Sequence, residues 1–186
     1  MPRLALLVSA SLLLSSCVTA GPARPPVATP RDAGPATAAL LPWYTNDPNL
    51  SRIAYTQLSE CLTRTGVFTF APRETVEAAV YTAGVDLHKT FGPSDADFKA
   101  VGQTLKVEYV LGGAFTVLKD LTFAGWRKDI TADMRLHHGN SGAEAGYWRS
   151  NTGFTWTDTT TALSAEKMSE SAMNHMCAEI SQPGAF

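Results

Sequence analysis

Residues 91–115 read FGPSDADFKAVGQTLKVEYVLGGAF, and this stretch decides the fold class. Gly92-Pro93 closes a loop. Ser94, followed by Asp97 three residues later, has the form of a capping box with the shorter acid in place of Glu. The spacing predicts a helix to about Leu105, with Phe98, Val101 and Leu105 on its apolar face. A strand then runs from Val107 to Leu118. Adjacent glycines inside a strand, Gly112-Gly113, predict a bulge or a close backbone approach. They are not a phosphate loop, because no Lys-Ser/Thr follows and no helix begins there.

Working outward from this helix–strand unit, Ala38–Trp43 is a short apolar strand. Asn46-Asp47-Pro48-Asn49 is a turn cluster able to cap a helix. That helix runs from about Leu50 to Thr65, with Leu50, Ile53, Ala54, Leu58, Cys61 and Leu62 forming an apolar stripe. Gly66 suits the left-handed position that ends it. Val67–Ala71 is a second strand, and Pro72 opens a short helix with Val76, Ala79 and Val80 inward. On the far side, Ile130–His137 and Tyr147–Thr157 alternate apolar and polar residues around the turn cluster His138–Gly142, which predicts a hairpin. Ser164 caps a last helix whose apolar face holds Ala165, Met168, Ala172, Met173, Met176, Cys177 and Ile180. The expectation is one α+β domain, an α/β sandwich over residues 39–182. It has a mixed sheet of about five strands with three or four helices packed on it.

The chain has 186 residues, 45% of them apolar and 17% charged. That composition excludes a disordered polar protein. The formal charge of −2 offers no basic field for nucleic acid.

The N-terminus carries an address. Met1-Pro2-Arg3 is a short positive head, and Leu4–Leu14 is an apolar run too short for the roughly 20 residues of a spanning helix. It has the length of a signal-peptide core. Leu14-Ser15-Ser16-Cys17 then resembles the lipobox of bacterial lipoproteins. That resemblance implies a signal peptide over residues 1–16, cleavage before Cys17 and a diacylglyceryl group on the Cys17 sulfur. The alternative is an ordinary secretory signal with an incidental cysteine. Val18 rather than Asp after the cysteine favours the outer membrane under the enterobacterial sorting rule. Residues 17–38 form a lipidated Cys and a Pro/Ala-rich tether, holding Pro22, Pro25, Pro26, Pro30 and Pro35. Such a segment cannot bury enough surface to offset its ordering entropy. At about 3.1 Å per residue it reaches at most roughly 65 Å.

Three stretches resemble an envelope-protein superfamily that includes CsgG, LpoB and the amino-terminal domain of TolB. AALLPWYT (38–45) resembles its opening strand, residues 91–115 its central helix–strand signature, and ITADMRLHHGNSGAEAGYWRS (130–150) its later hairpin. The resemblance implies helices packed on a mixed sheet and a non-enzymatic role in envelope assembly. Residues 118–130 are too short to add the amphipathic hairpin of a CsgG-like pore. The tether is shorter than LpoB-like activators need, and a TolB propeller is absent.

Beyond the anchor, Cys61 and Cys177 sit on the inward stripes of the first and last helices. If those helices lie side by side, a disulfide is feasible in an oxidising compartment; otherwise both are separate buried thiols. His88, His137, His138 and His175 show no chelating spacing, and neighbours His137 and His138 point to opposite faces of a strand. Solvation at the hairpin edge is the expectation for that pair. No nucleophile elbow occurs. No catalytic residue, metal or cofactor is expected. The aromatic residues gather near the last strands. Phe123 and Trp126, in a loop from Lys119 to Lys128, and Trp148 and Trp156 are candidate partner contacts; the alternative is that they fill the core.

The expectation is therefore a lipid-anchored envelope lipoprotein, outer-membrane and facing the periplasm. It would bind the membrane through its lipid and an envelope protein through its domain, with no nucleic-acid partner. The alternatives are a homo-oligomerising structural subunit of a secretion or assembly complex, and a periplasmic ligand-binding protein or hydrolase.

Overall fold

A computed structural model describes residues 34–45, 48–87, 92–122, 125–156, 165–182 and 184–186. In chain order the elements are β1 (Ala36–Leu40), α1 (Pro48–Arg64), β2 (Phe68–Phe70), α2 (Arg73–Thr82), α3 (Asp95–Leu105), β3 (Tyr109–Thr122), β4 (Gly125–His138), β5 (Glu144–Trp156) and α4 (Ala165–Ile180). The strands form one mixed sheet in the order β2-β1-β3-β4-β5. β1 runs parallel to both β2 and β3, and β3, β4 and β5 are antiparallel. This is the expected α+β architecture.

Parallel neighbours need crossover connections, and crossovers have one preferred hand. The path from β1 out to β2 and the return from β2 past β1 to β3 run in opposite directions. Crossovers of one hand therefore land on opposite faces, and two cores result. On the inner face, α1 and α4 pack Leu50, Leu58, Leu62, Met168, Met173 and Met176 against Leu40, Leu111, Ile130, Met134 and Leu136. On the outer face, α2 and α3 pack Val76, Val80, Phe98 and Val101 against Ala39, Leu41 and Val110. β1 is central and apolar on both sides, as parallel strands usually are. Its pairing begins at Ala36 opposite Phe68, so residues 36–38, tether-like in composition, belong to the sheet.

Cys61 and Cys177 are joined by a disulfide, with Cα atoms 6.3 Å apart. It ties α1 to α4 across 116 residues of sequence. Ser94 and Asp97 form the capping box of α3: the Ser94 hydroxyl accepts from the Asp97 amide, and the Asp97 carboxylate accepts from the Ser94 amide at 2.8 Å. Gly66, at φ +72°, ends α1. Phe186 folds back to stack on Phe68 at 5.3 Å between ring centroids.

Three expectations need correction. The β3–β4 ladder is continuous from Tyr109–His138 to Thr122–Gly125, so most of residues 119–128 is strand and not loop. Of the two readings of Gly112-Gly113, a bulge or a close approach, the structure has the second; the one register shift among the described pairs falls at Leu136/His137. A Cβ on Gly112 would lie 2.9 Å from the Phe98 ring, and one on Gly113 would lie 2.8 Å from the Trp43 ring. One aromatic ring thus lies against the strand from each face.

His137 is the second correction. It is fully buried and not solvated, because α3 covers it and Phe98 stacks on its ring at 4.0 Å. Trp148 is the third. It is only 9% exposed and joins the inner core with α4, because its place in β5 turns it to the helix-covered face.

Candidate functional site

α2 and α3 cover only part of the outer face. Phe98 of α3 still covers Gly112; beyond it the outer side of β3, β4 and β5 carries no helix among the described residues, and side chains there meet solvent. Strand alternation and register set the composition of this bare surface. Gly112, Arg135 and Tyr147 form one row across the three strands, and Ala114, Asp133 and Arg149 the next. Thr116, Thr131 and Asn151 form a third.

These rows make a groove of about 390 Å³. Its floor is Gly112, Ala114 and Thr116, one wall is Gly92, Pro93 and Phe98, and the other is Asp133, Arg135, Tyr147 and Arg149. The floor is low because two of its residues have little or no side chain.

Asp133 organises the polar wall. Arg149 donates from Nε to Asp133 Oδ1 at 2.7 Å and from Nη2 to Oδ2 at 3.2 Å, a two-pronged grip. The Tyr147 hydroxyl also donates to Asp133 Oδ1. Burial alone raises the Asp133 pKa. The hydrogen bonds from Arg149 and Tyr147, with the positive charges of Arg149 and Arg135, outweigh burial and hold the carboxyl below its ordinary value. The Tyr147 phenol shifts up, first from burial and then from its bond to Asp133. The Asp133 bond and charge raise Arg149. Arg135, half-buried beside them, makes no hydrogen bond or ion pair among the described residues.

A buried joint stands behind the Phe98 wall. His137 Nδ1 lies 2.9 Å from the Gly142 carbonyl oxygen. A carbonyl only accepts, so this nitrogen carries the proton. His137 Nε2 lies 4.0 Å from Asp95 Oδ1. The joint fixes the start of α3 against the β4–β5 turn. Gly102 and Gly139 touch there, and a Cβ on Gly102 would collide with the Gly139 backbone.

The residues singled out from the sequence fall in several places. Cys17 and Phe123 lie outside the described residues. Trp126 and Trp156 are register partners near the far end of the β4–β5 ladder. Trp148 is in the core, and Cys61 and Cys177 are bonded to each other. His138 is exposed, its ring 5.1 Å from that of Tyr109, and His175 Nε2 pairs with Glu179 Oε1 at 3.2 Å. His88 lies outside the described residues. The polar wall was missed, although Asp133-x-Arg135 and Tyr147-x-Arg149 are period-two polar pairs on the predicted hairpin. Among the described residues no group of three His, Cys, Asp or Glu could hold a metal, and no helix is long and apolar enough to cross a membrane.

A bacterial lipoprotein carries this fold. The lipoprotein GNA1162 from Neisseria meningitidis superposes with TM-score 0.53 at 17% identity, over 77% of this chain and 99% of that one. The hypothetical protein CT253 from Chlamydia trachomatis superposes with TM-score 0.54 at 10% identity, over 80% and 97%. The LpoB C-terminal domain from Salmonella enterica is more remote, at TM-score 0.42 and 14% identity over 66% and 84%. At these identities the likeness is one of fold. No protein-family model matches the sequence, and no curated protein matches it significantly.

Proposed function

We propose that this protein is a lipid-anchored envelope lipoprotein whose domain is a non-enzymatic docking module for another envelope protein. The observation that carries the reading is the outer half-face of β3–β5, which no helix covers among the described residues, with its groove and its exposed Tyr147 and Arg149. A face left open beside a fully packed one is where a partner can bind without disturbing the core.

The lipobox-like Leu14-Ser15-Ser16-Cys17 supports the anchor. Acyl chains on Cys17, palmitate included, would hold the module at the membrane at about 0.8 kcal/mol per buried CH₂. Val18 supports outer-membrane residence facing the periplasm. The short tether keeps the domain near its own membrane, which suits a role in assembly or secretion beside that membrane. That the same fold occurs in a lipoprotein, GNA1162, supports the reading further.

The test combines metabolic palmitate labelling with envelope crosslinking. The expected result is a labelled mature protein, a Cys17→Ala form released from the membrane, and a discrete crosslinked partner. An unlabelled product, or a protein that never crosslinks above background, contradicts the proposal. A ladder of self-crosslinks, with a ring-sized mass in mild detergent, would replace docking with self-assembly.

A further inference from the structure

The outer groove has an unusual charge balance. Asp133 is its one carboxylate among the described lining residues, and both of its oxygens are already taken by Arg149 and Tyr147. Arg135 is left half-buried beside them without an acceptor. A guanidinium presents donors in a planar fork that matches a carboxylate, and in a partly buried site such a pair is stronger than on open surface. The wall is thus preset with a locked Arg–Asp–Tyr triad next to one guanidinium that feels Asp133 only at a distance and makes no hydrogen bond or ion pair among the described residues.

The floor adds a shape requirement. Gly112 lies under the Phe98 ring, and beyond it Ala114 stands no taller than a methyl group, so an extended backbone can lie over Ala114 and Thr116 between the Phe98 edge and Tyr147. The chain as a whole carries −2, which disfavours a long polyanion and leaves a local positive spot suited to one carboxylate. Two arginines against one aspartate disfavour a metal cation.

We infer that this groove captures an extended acidic segment of the partner protein, with an Asp or Glu carboxylate of that segment gripped by Arg135. The inference rests on the docking reading above and gives it an address and a chemistry. The partner's backbone lies over Ala114 and Thr116, and Tyr147 flanks it. Arg149 stays bound to Asp133 and holds Tyr147 and the wall in place.

The test uses the full chain in mild detergent and a fluorescein-labelled peptide, acetyl-Gly-Glu-Gly-Glu-Gly-amide, read by anisotropy. Its Gln counterpart is the control. A charged two-pronged contact corresponds to at least about tenfold in affinity. The expected result is saturable binding of the Glu peptide, at least about tenfold weaker binding of the Gln peptide, and a similar loss for Arg135→Ala. Arg135→Lys should lose less than Arg135→Ala, because it keeps the charge without the fork. Ala114→Trp fills the floor while leaving the arginines alone, so it should also abolish binding. It keeps the question decidable if Arg135→Ala folds poorly.

No saturable binding up to about 10 mM peptide overturns the inference. So does equal binding of the Gln peptide, or full affinity in both Arg135→Ala and Ala114→Trp. Inorganic phosphate binding at Arg135 in place of the peptide would mark a simple anion site and also overturn it. If the peptide fails while envelope crosslinking still captures a partner, the acidic-segment inference falls and the docking function stands.

Discussion

The two faces of the sheet are built from the same strands but differ in nearly every physical respect. The inner face is closed by α1 and α4, which are bonded to each other through Cys61–Cys177, and its side chains are large and apolar. The outer face is closed by α2 and α3 over β2, β1 and the first part of β3, and then stops. Beyond that border Ala114, Asp133, Arg135, Tyr147 and Arg149 meet solvent. Stability is concentrated on one side, which leaves the other side free to present chemistry. Substitutions on the two faces should therefore separate cleanly in size.

The largest effect belongs to the inner face. Leu58 is fully buried between α1 and the sheet, and Leu58→Ala should cost about 2–5 kcal/mol through lost burial and the cavity left behind. Thr116→Ala on the open face should stay within about 0.5 kcal/mol. Urea unfolding of both variants checks the contrast, and equal losses would break it. Removing the staple by reduction, or by Cys61→Ala with Cys177→Ala, should cost about 2–4 kcal/mol, because the bridge closes a long loop in the unfolded chain. The same unfolding curve, run with and without reductant, measures it.

Smaller effects sharpen the border between the faces. Ser94→Ala removes the cap that starts α3 beside the groove and should cost about 1 kcal/mol. Asp133→Asn should cost under about 1 kcal/mol, because its partner Arg149 is well exposed. Its sign is fixed by linkage. The folded pKa of Asp133 lies below the unfolded value, so its stabilisation is present above the unfolded pKa and is lost as pH falls through the folded one. The stability gap between Asp133→Asn and the parent chain should therefore be largest near neutral pH and close in acid. A gap that grows on acidification would contradict the triad as described.

The inner face was largely legible in the sequence. Helical spacing exposed the stripes of α1 and α4, and Gly66 marked the end of α1; on the outer face, Ser94 and Asp97 marked the start of α3. Element ends were harder to place, because Ala36 and Thr37 look like tether and Lys119–Thr122 look like loop until a neighbouring strand pairs with them. Pairing is a long-range fact that local composition does not carry. His137 and Trp148 were misplaced for a related reason. Their alternation was visible, but which parity faces a helix depends on where α3 and α4 come to rest. The groove was the least legible part. Its Arg135 and Tyr147 become neighbours only through the β4–β5 register, and its floor exists only because α3 ends its coverage there.

The most direct test of the account is photo-crosslinking in intact envelopes, with a photoreactive residue placed at Thr116 or Asn151 on the open face, or at Thr56 on the solvent side of α1. The account predicts a discrete partner band from Thr116 and Asn151 and none from Thr56. A partner captured from Thr56 with nothing from the open face would contradict it.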